Sequence, residues 1–123
     1  MTRPHYSLNA WKESMGLVCM VYRVSHSFPR EEIYGLTSQI RRSAISVPSN
    51  LAEGAARQGY KEFDRFINIA KGSLSELDTQ LHIAVSLGYL NSDSQVFIQI
   101  DKVSSLLAGL QKSLMKRMKL TNK

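Results

Sequence analysis

From Ser94 onward the apolar residues fall at Val96, Ile100, Val103, Leu107, Leu110 and Leu114, alternating steps of four and three that keep one face of a helix apolar. The segment opening near Tyr60 repeats this rhythm through Phe63, Ile67, Ala70, Leu74, Leu77, Leu81 and Ala84. Near the N-terminus Leu8, Trp11, Met15, Val18 and Tyr22 carry it, stopping at Ser25-His26-Ser27-Phe28-Pro29. Between these lies Glu31 to Arg57, with Ile33, Leu36, Ile40, Val47 and Leu51 at compatible spacing, and with Glu31 and Glu32 where a helix N-terminus favours acidic side chains. Pro48 breaks the pattern. A proline inside a helix removes a backbone hydrogen bond and costs about 3 kcal/mol, so the expectation is a continuous helix kinked at Pro48. Asn50 and Glu53, at capping-box spacing, mark where a restart would fall instead.

The spacing predicts helices over about 8–26, 31–57, 60–88 and 93–118. Phe28-Pro29-Arg30, Gln58-Gly59 and Gly88 to Asp93 leave room only for tight reversals, which sets neighbouring helices antiparallel. No stretch alternates as a strand would. The expected fold is therefore all-α, an up-down-up-down four-helix bundle forming a single domain over residues 1–123. A chain of this length buries roughly two-thirds of its unfolded surface and needs no staple. The lone Cys19, between Val18 and Met20, reads as a small buried hydrophobe. No apolar stretch approaches the roughly 20 residues that span a bilayer, and the first residues lack a signal's apolar core, so a cytoplasmic location without membrane contact is expected.

Bundles often house di-iron sites built on Glu-x-x-His pairs, but Arg23 and Thr79 stand where His26 and His82 would need a Glu, and His5 precedes any helix. Asp78 and His82 share a helix face and read as a surface hydrogen bond. Nucleophile elbows, phosphate loops and dinucleotide fingerprints are absent, and Gly72-Ser73 reads as a small pair permitting close helix approach. The chain is expected to be no enzyme and to need neither metal nor cofactor.

Charge adds the positive indication. Lys and Arg number 16 against 10 Asp and Glu, a net +6 that points to a polyanion. Arg41 and Arg42 are adjacent, Arg57, Lys61 and Arg65 recur at intervals of four, and no acid follows Asp101, while Lys102, Lys112, Lys116, Arg117, Lys119 and Lys123 do. Arg41, Arg42, Arg57, Lys61, Arg65, Lys112, Lys116, Arg117 and Lys119 are the candidate nucleic-acid contacts. The tail reads equally as cations that suit a helix C-terminus, and Glu32 or Glu53 stands ready to neutralise one of the paired arginines. Aromatic residues do not interleave with these cations along the chain, which implies backbone-directed, salt-sensitive binding. Phe66, Ile69, Phe97, Ile98, Ile45 and Ala44 widen the apolar surface beyond one seam, so a homo-oligomer is expected, repeating each basic patch around its symmetry. The other reading of the basic face is a scaffold docking an acidic protein.

The stretch Tyr34 to Arg57, YGLTSQIRRSAISVPSNLAEGAAR, followed by Phe63-Asp64-Arg65-Phe66 and by Ile69 to Leu77, resembles the bacterial four-helix bundle family of 23S rRNA-intervening sequence proteins. Leu8, Trp11, Tyr22 and Phe28-Pro29-Arg30-Glu31 resemble that family's opening, so the likeness covers roughly Leu8 to Leu90. Ser43, Val47, Leu51 and Ala56 are mild departures from the family's usual residues. The resemblance implies a ring, a homopentamer, and a kinship with the accessory variability protein of diversity-generating retroelements, a basic pentamer that binds nucleic acid and a reverse transcriptase. Gln39, Asn50, Glu53, Ser73 and Glu76 match the family's polar positions near Pro48. They read either as a buried network satisfying backbone groups freed by the proline or as a shared ligand or RNA surface.

Overall fold

A computed structural model describes residues 2–121, so Lys123 lies outside the described residues. Four helices account for most of it: α1 (Asn9–Ser25), α2 (Leu36–Ala56), α3 (Tyr60–Ser86) and α4 (Gln95–Thr121), with 3-10 turns at Pro4–Ser7 and Arg30–Glu32 and no strand among the described residues. Helix α1 packs on α2 and α4, and α3 on the same two, so the helices form a closed square around one core. Contacts across the α2–α3 and α3–α4 seams pair rising numbers on one helix with falling numbers on the next. Ser43 meets Glu76 and Ser46 meets Ser73 between α2 and α3; His82 stacks on Phe97 and Lys71 reaches Gln111 between α3 and α4. Antiparallel neighbours produce that relation.

The stripes read on α3 and α4 are the buried ones. Ile67, Ala70, Leu74, Leu77, Leu81 and Ala84 face Val96, Ile100, Val103, Leu107 and Leu114 inside, each large side chain contributing about 1.5–3 kcal/mol of burial. Helix α2 adds Ile40, Ala44, Val47 and Leu51 and runs unbroken through Pro48. Gly59, at φ 92°, closes the connection between α2 and α3 in a backbone region that glycine enters without a Cβ penalty.

Several expectations need correction. Helix α2 begins at Leu36, not near Glu31, because Pro29 opens a separate 3-10 turn and the chain re-enters helix only after Gly35. Glu32 serves the helix from outside: its Oε1 accepts from the Leu36 N–H at 3.3 Å and its Oε2 from the Tyr89 hydroxyl at 3.1 Å, tying this connection to the turn before α4. That bond from Tyr89 to Glu32 holds the phenol above its ordinary pKa. Helix α4 runs on to Thr121, beyond the expected end near 118.

Helix α1 is rotated relative to the expected stripe. Its buried row is Ala10, Ser14, Leu17, Val21 and Ser25, while Met15 and Tyr22 are exposed and Trp11 and Val18 only partly covered. Cys19 is exposed, since two positions from Leu17 and from Val21 turn it toward the outer face. Ile33 lies outside the helix and is exposed. Phe66 and Ala44, counted as surplus apolar surface, are buried within the bundle, whereas Ile45, Ile69 and Ile98 stand exposed, Ile98 at 61%.

Candidate nucleic-acid interface

Helices α3 and α4 are locked in register by Gln111, which donates from Nε2 to Asp64 Oδ1 at 2.9 Å and to Asn68 Oδ1 at 2.8 Å while accepting from Lys71 Nζ at 3.0 Å. With Gln111 opposite Asp64, the antiparallel run of α4 carries Lys112, Lys116, Arg117 and Lys119 to the end of the bundle where α3 starts. Lys61 and Arg65 sit on that first stretch of α3, and Arg57 closes α2 beside it. Cations separated by half the chain therefore share one end. Lys112, Lys116 and Lys119 line a groove of about 400 Å³ with Ala108, Gln111 and Met115.

Two arginines of this end are held in place. Arg57 Nη2 donates to Glu53 Oε1 at 2.9 Å and Arg65 Nε to Glu62 Oε2 at 2.9 Å, while their guanidinium carbons lie 5.3 and 4.6 Å from the Phe66 ring centroid. The hydrogen bond from Arg65 is the chief cause that lowers the Glu62 pKa and raises that of Arg65. Both ion pairs are about half exposed and screened by solvent, so a phosphate can replace either carboxylate at little cost. Lys61, Lys112, Lys116 and Lys119 have no hydrogen bond or ion pair among the described residues.

Arg41 and Arg42 lie elsewhere. Fifteen residues of helix separate Arg42 from Arg57, roughly 22 Å at the α-helical rise, which places the pair near the C-terminal end of α1. Neither Glu32 nor Glu53 neutralises them. Arg41 Nε donates to Ser25 Oγ at 3.0 Å and its guanidinium carbon lies 4.5 Å from the Tyr22 ring centroid; Arg42 has no hydrogen bond or ion pair among the described residues. Both line an open cleft of about 430 Å³ with Tyr22, Tyr34, Thr37 and Ser38. The expected lack of aromatics beside the cations thus fails here. Tyr34 precedes Thr37, Ser38, Arg41 and Ile45 by three, four, seven and eleven residues, one helix face in linear order, whereas Tyr22 arrives from α1 and leaves no trace in local spacing.

The polar group near Pro48 is a seam between α2 and α3. Ser46 and Ser73 share a hydrogen bond of 2.8 Å, Asn50 Nδ2 donates to the Ser46 carbonyl at 2.8 Å and to Ser46 Oγ at 2.9 Å, and Ser43 donates to Glu76 at 3.0 Å. Of the named polar residues, Asn50 and Ser73 meet through Ser46, while Glu76 bonds separately to Ser43. Glu53 belongs instead to the surface pair with Arg57, because it faces away from the seam, and Gln39 is exposed with no side-chain hydrogen bond. Gly54 ends the seam against Phe63 and Phe66.

Asp78 and His82 approach to 3.5 Å on the surface of α3. Among the described residues no group of His, Cys, Asp and Glu is arranged to hold a metal, and no helix is long and apolar enough to cross a membrane.

Residues 6–109 match the model of a protein family described as 23S rRNA-intervening sequence protein. No curated protein matches the chain.

Proposed function

The chain belongs to the family of 23S rRNA-intervening sequence proteins, and on that premise we propose that it is a non-catalytic, cytoplasmic homo-oligomer that binds nucleic acid, structured RNA in particular, through its basic end. The observation that carries this reading is the meeting of Arg57, Lys61 and Arg65 with the acid-free C-terminal stretch of α4. Clustered cations raise the local concentration of a polyanion, and each phosphate they neutralise releases counterions. The subunits associate through exposed apolar residues such as Ile69 and Ile98, in a ring of five as the family resemblance implies. Five copies of the basic end on one ring turn weak contacts into an avid surface.

A titration of RNA and duplex DNA at about 50 and 200 mM salt tests the reading. The triple variant Lys112→Ala/Lys116→Ala/Lys119→Ala should weaken binding to all sequences alike and flatten the dependence of log affinity on log salt by about 2–3, at ~0.9 per duplex phosphate contact. Absence of binding at the lower salt, or affinity indifferent to salt, overturns it. Light scattering that returns a single 13.9 kDa subunit at micromolar concentration overturns the oligomer.

A further inference from the structure

Tyr34 is 98% exposed on the turn leading into α2. Ile33 and Ile45, also exposed, line the same cleft, as does Tyr22 from α1. Exposed aromatic and aliphatic side chains thus stand beside two arginines along one cleft. The polar side of the cleft is formed by Ser38, Arg41 and Arg42, and no carboxylate lines it. The Thr37 hydroxyl is buried without a hydrogen-bond partner.

Arg41 is set in advance for an anion. Its Nε is tied to Ser25 Oγ, the Ser25 hydroxyl also contacts the Val21 carbonyl at 2.7 Å, and the guanidinium lies over Tyr22. Both terminal nitrogens stay without a partner among the described residues, as does the whole guanidinium of Arg42. A planar fork fixed by such contacts loses little entropy when it takes a phosphate. The cleft therefore asks for a ligand with an anion at one end and a flat aromatic face at the other. Its volume of about 430 Å³ suits one such unit, and its openness lets a chain enter and leave.

We infer that this cleft holds one nucleotide of a single strand, with the base stacked on Tyr34 and the phosphate on Arg41 and Arg42. The inference rests on the nucleic-acid reading above and adds strand selectivity to it. A duplex keeps its bases stacked internally and cannot offer one to Tyr34, whereas an unpaired loop or end can. The basic end then serves any phosphate backbone and the cleft distinguishes unpaired segments.

Fluorescence anisotropy of labelled ten-nucleotide single-stranded RNA, the same DNA strand and a matched duplex, with the full chain and with Tyr34→Ala, Tyr34→Phe and Arg42→Ala, tests it. Tyr34→Ala should weaken both single strands about 5- to 100-fold, leave duplex affinity unchanged and be rescued by Tyr34→Phe, since stacking needs only the ring. Arg42→Ala should weaken single-strand binding and lower its salt dependence by ~0.7. Single-strand affinity unaffected by Tyr34→Ala, with the basic-end lysines still required, overturns the cleft and leaves the basic end standing. A Tyr34→Ala variant that changes the mass of the assembly but no affinity assigns the cleft to subunit packing and overturns it too. If no nucleic acid binds, both readings fall together.

Discussion

Gly54 is the point where α2 and α3 come closest to collision. A Cβ placed there would lie 2.6 Å from the Cβ of Phe66 and 3.1 Å from Cδ1 of Phe63, against a comfortable carbon separation of about 3.5–4.0 Å. The first contact cannot be relieved by swinging a side chain, because a Cβ moves only with its backbone. Gly54→Ala must therefore separate the helices by about 1 Å locally, and overpacking of this kind costs about 1–3 kcal/mol. Removing a glycine from a helix interior returns about 1 kcal/mol, which leaves a net loss of about 0–2 kcal/mol. Gly72 supplies the control, since it is helical and a Cβ there meets nothing within 4 Å. Gly72→Ala should gain about 1 kcal/mol. In a chain of this length 1 kcal/mol moves the melting temperature by about 3–6 °C. Thermal melts by circular dichroism at matched chain concentration should place Gly54→Ala up to about 12 °C below the parent and Gly72→Ala a few degrees above it. Equal melting of the two variants, or a Gly54→Ala chain more stable than the parent, refutes the close approach.

Ser73→Ala removes the Ser46 hydrogen bond and should cost about 0.5–1.5 kcal/mol in urea unfolding without altering nucleic-acid affinity; a loss of affinity at unchanged stability would make the seam a ligand surface. The Glu13 carboxyl, held below its ordinary 4.5 chiefly by the Gln99 hydrogen bond and then by Lys102, joins α1 to α4. A carboxylate whose folded pKa is depressed contributes stability that is complete above the ordinary value and is lost as pH falls through the lowered one. Glu13→Gln should thus flatten the fall of the urea midpoint below about pH 4.5, and an unchanged acid limb would contradict it. Tyr89, raised by its bond to Glu32, contributes stability below its ordinary 10.0 that is lost as pH rises through the raised value. Absorbance titration of the five tyrosines should show a late-titrating one that Tyr89→Phe abolishes.

Helices α3 and α4 were legible because nearly every residue of their inner rows is large and apolar, so spacing alone fixes the face. The start of α2 was not, since Glu31 and Glu32 satisfy a first-turn pattern while Glu32 in fact caps Leu36 from a separate turn, a choice set by the distant Tyr89 hydroxyl. The basic residues could be named from sequence, but not sorted. Which cations meet depends on the register between α3 and α4, fixed by Gln111, a residue with no charge to draw notice.

Helix α1 shows how the misread face and the candidate cleft have one cause. Judged by size, Trp11, Met15 and Tyr22 should be inside. Burying Tyr22 would require a partner for its hydroxyl and room for the ring, whereas Ser14 and Ser25 satisfy themselves on the Trp11 and Val21 carbonyls at 2.8 and 2.7 Å. A row of Ala10, Ser14, Leu17, Val21 and Ser25 can therefore enter the core without orphaning a polar group, and its small members let α1 settle closely. The bulky row is turned by about one position toward the α2 seam as a result. There Tyr22 lies beneath Arg41, and Ser25, at the edge of the core, holds that guanidinium by its Nε. Packing that follows hydroxyl satisfaction rather than side-chain size thus puts an aromatic wall beside two arginines. Ser25→Ala should keep α1 buried as it is while releasing Arg41 from its fixed position.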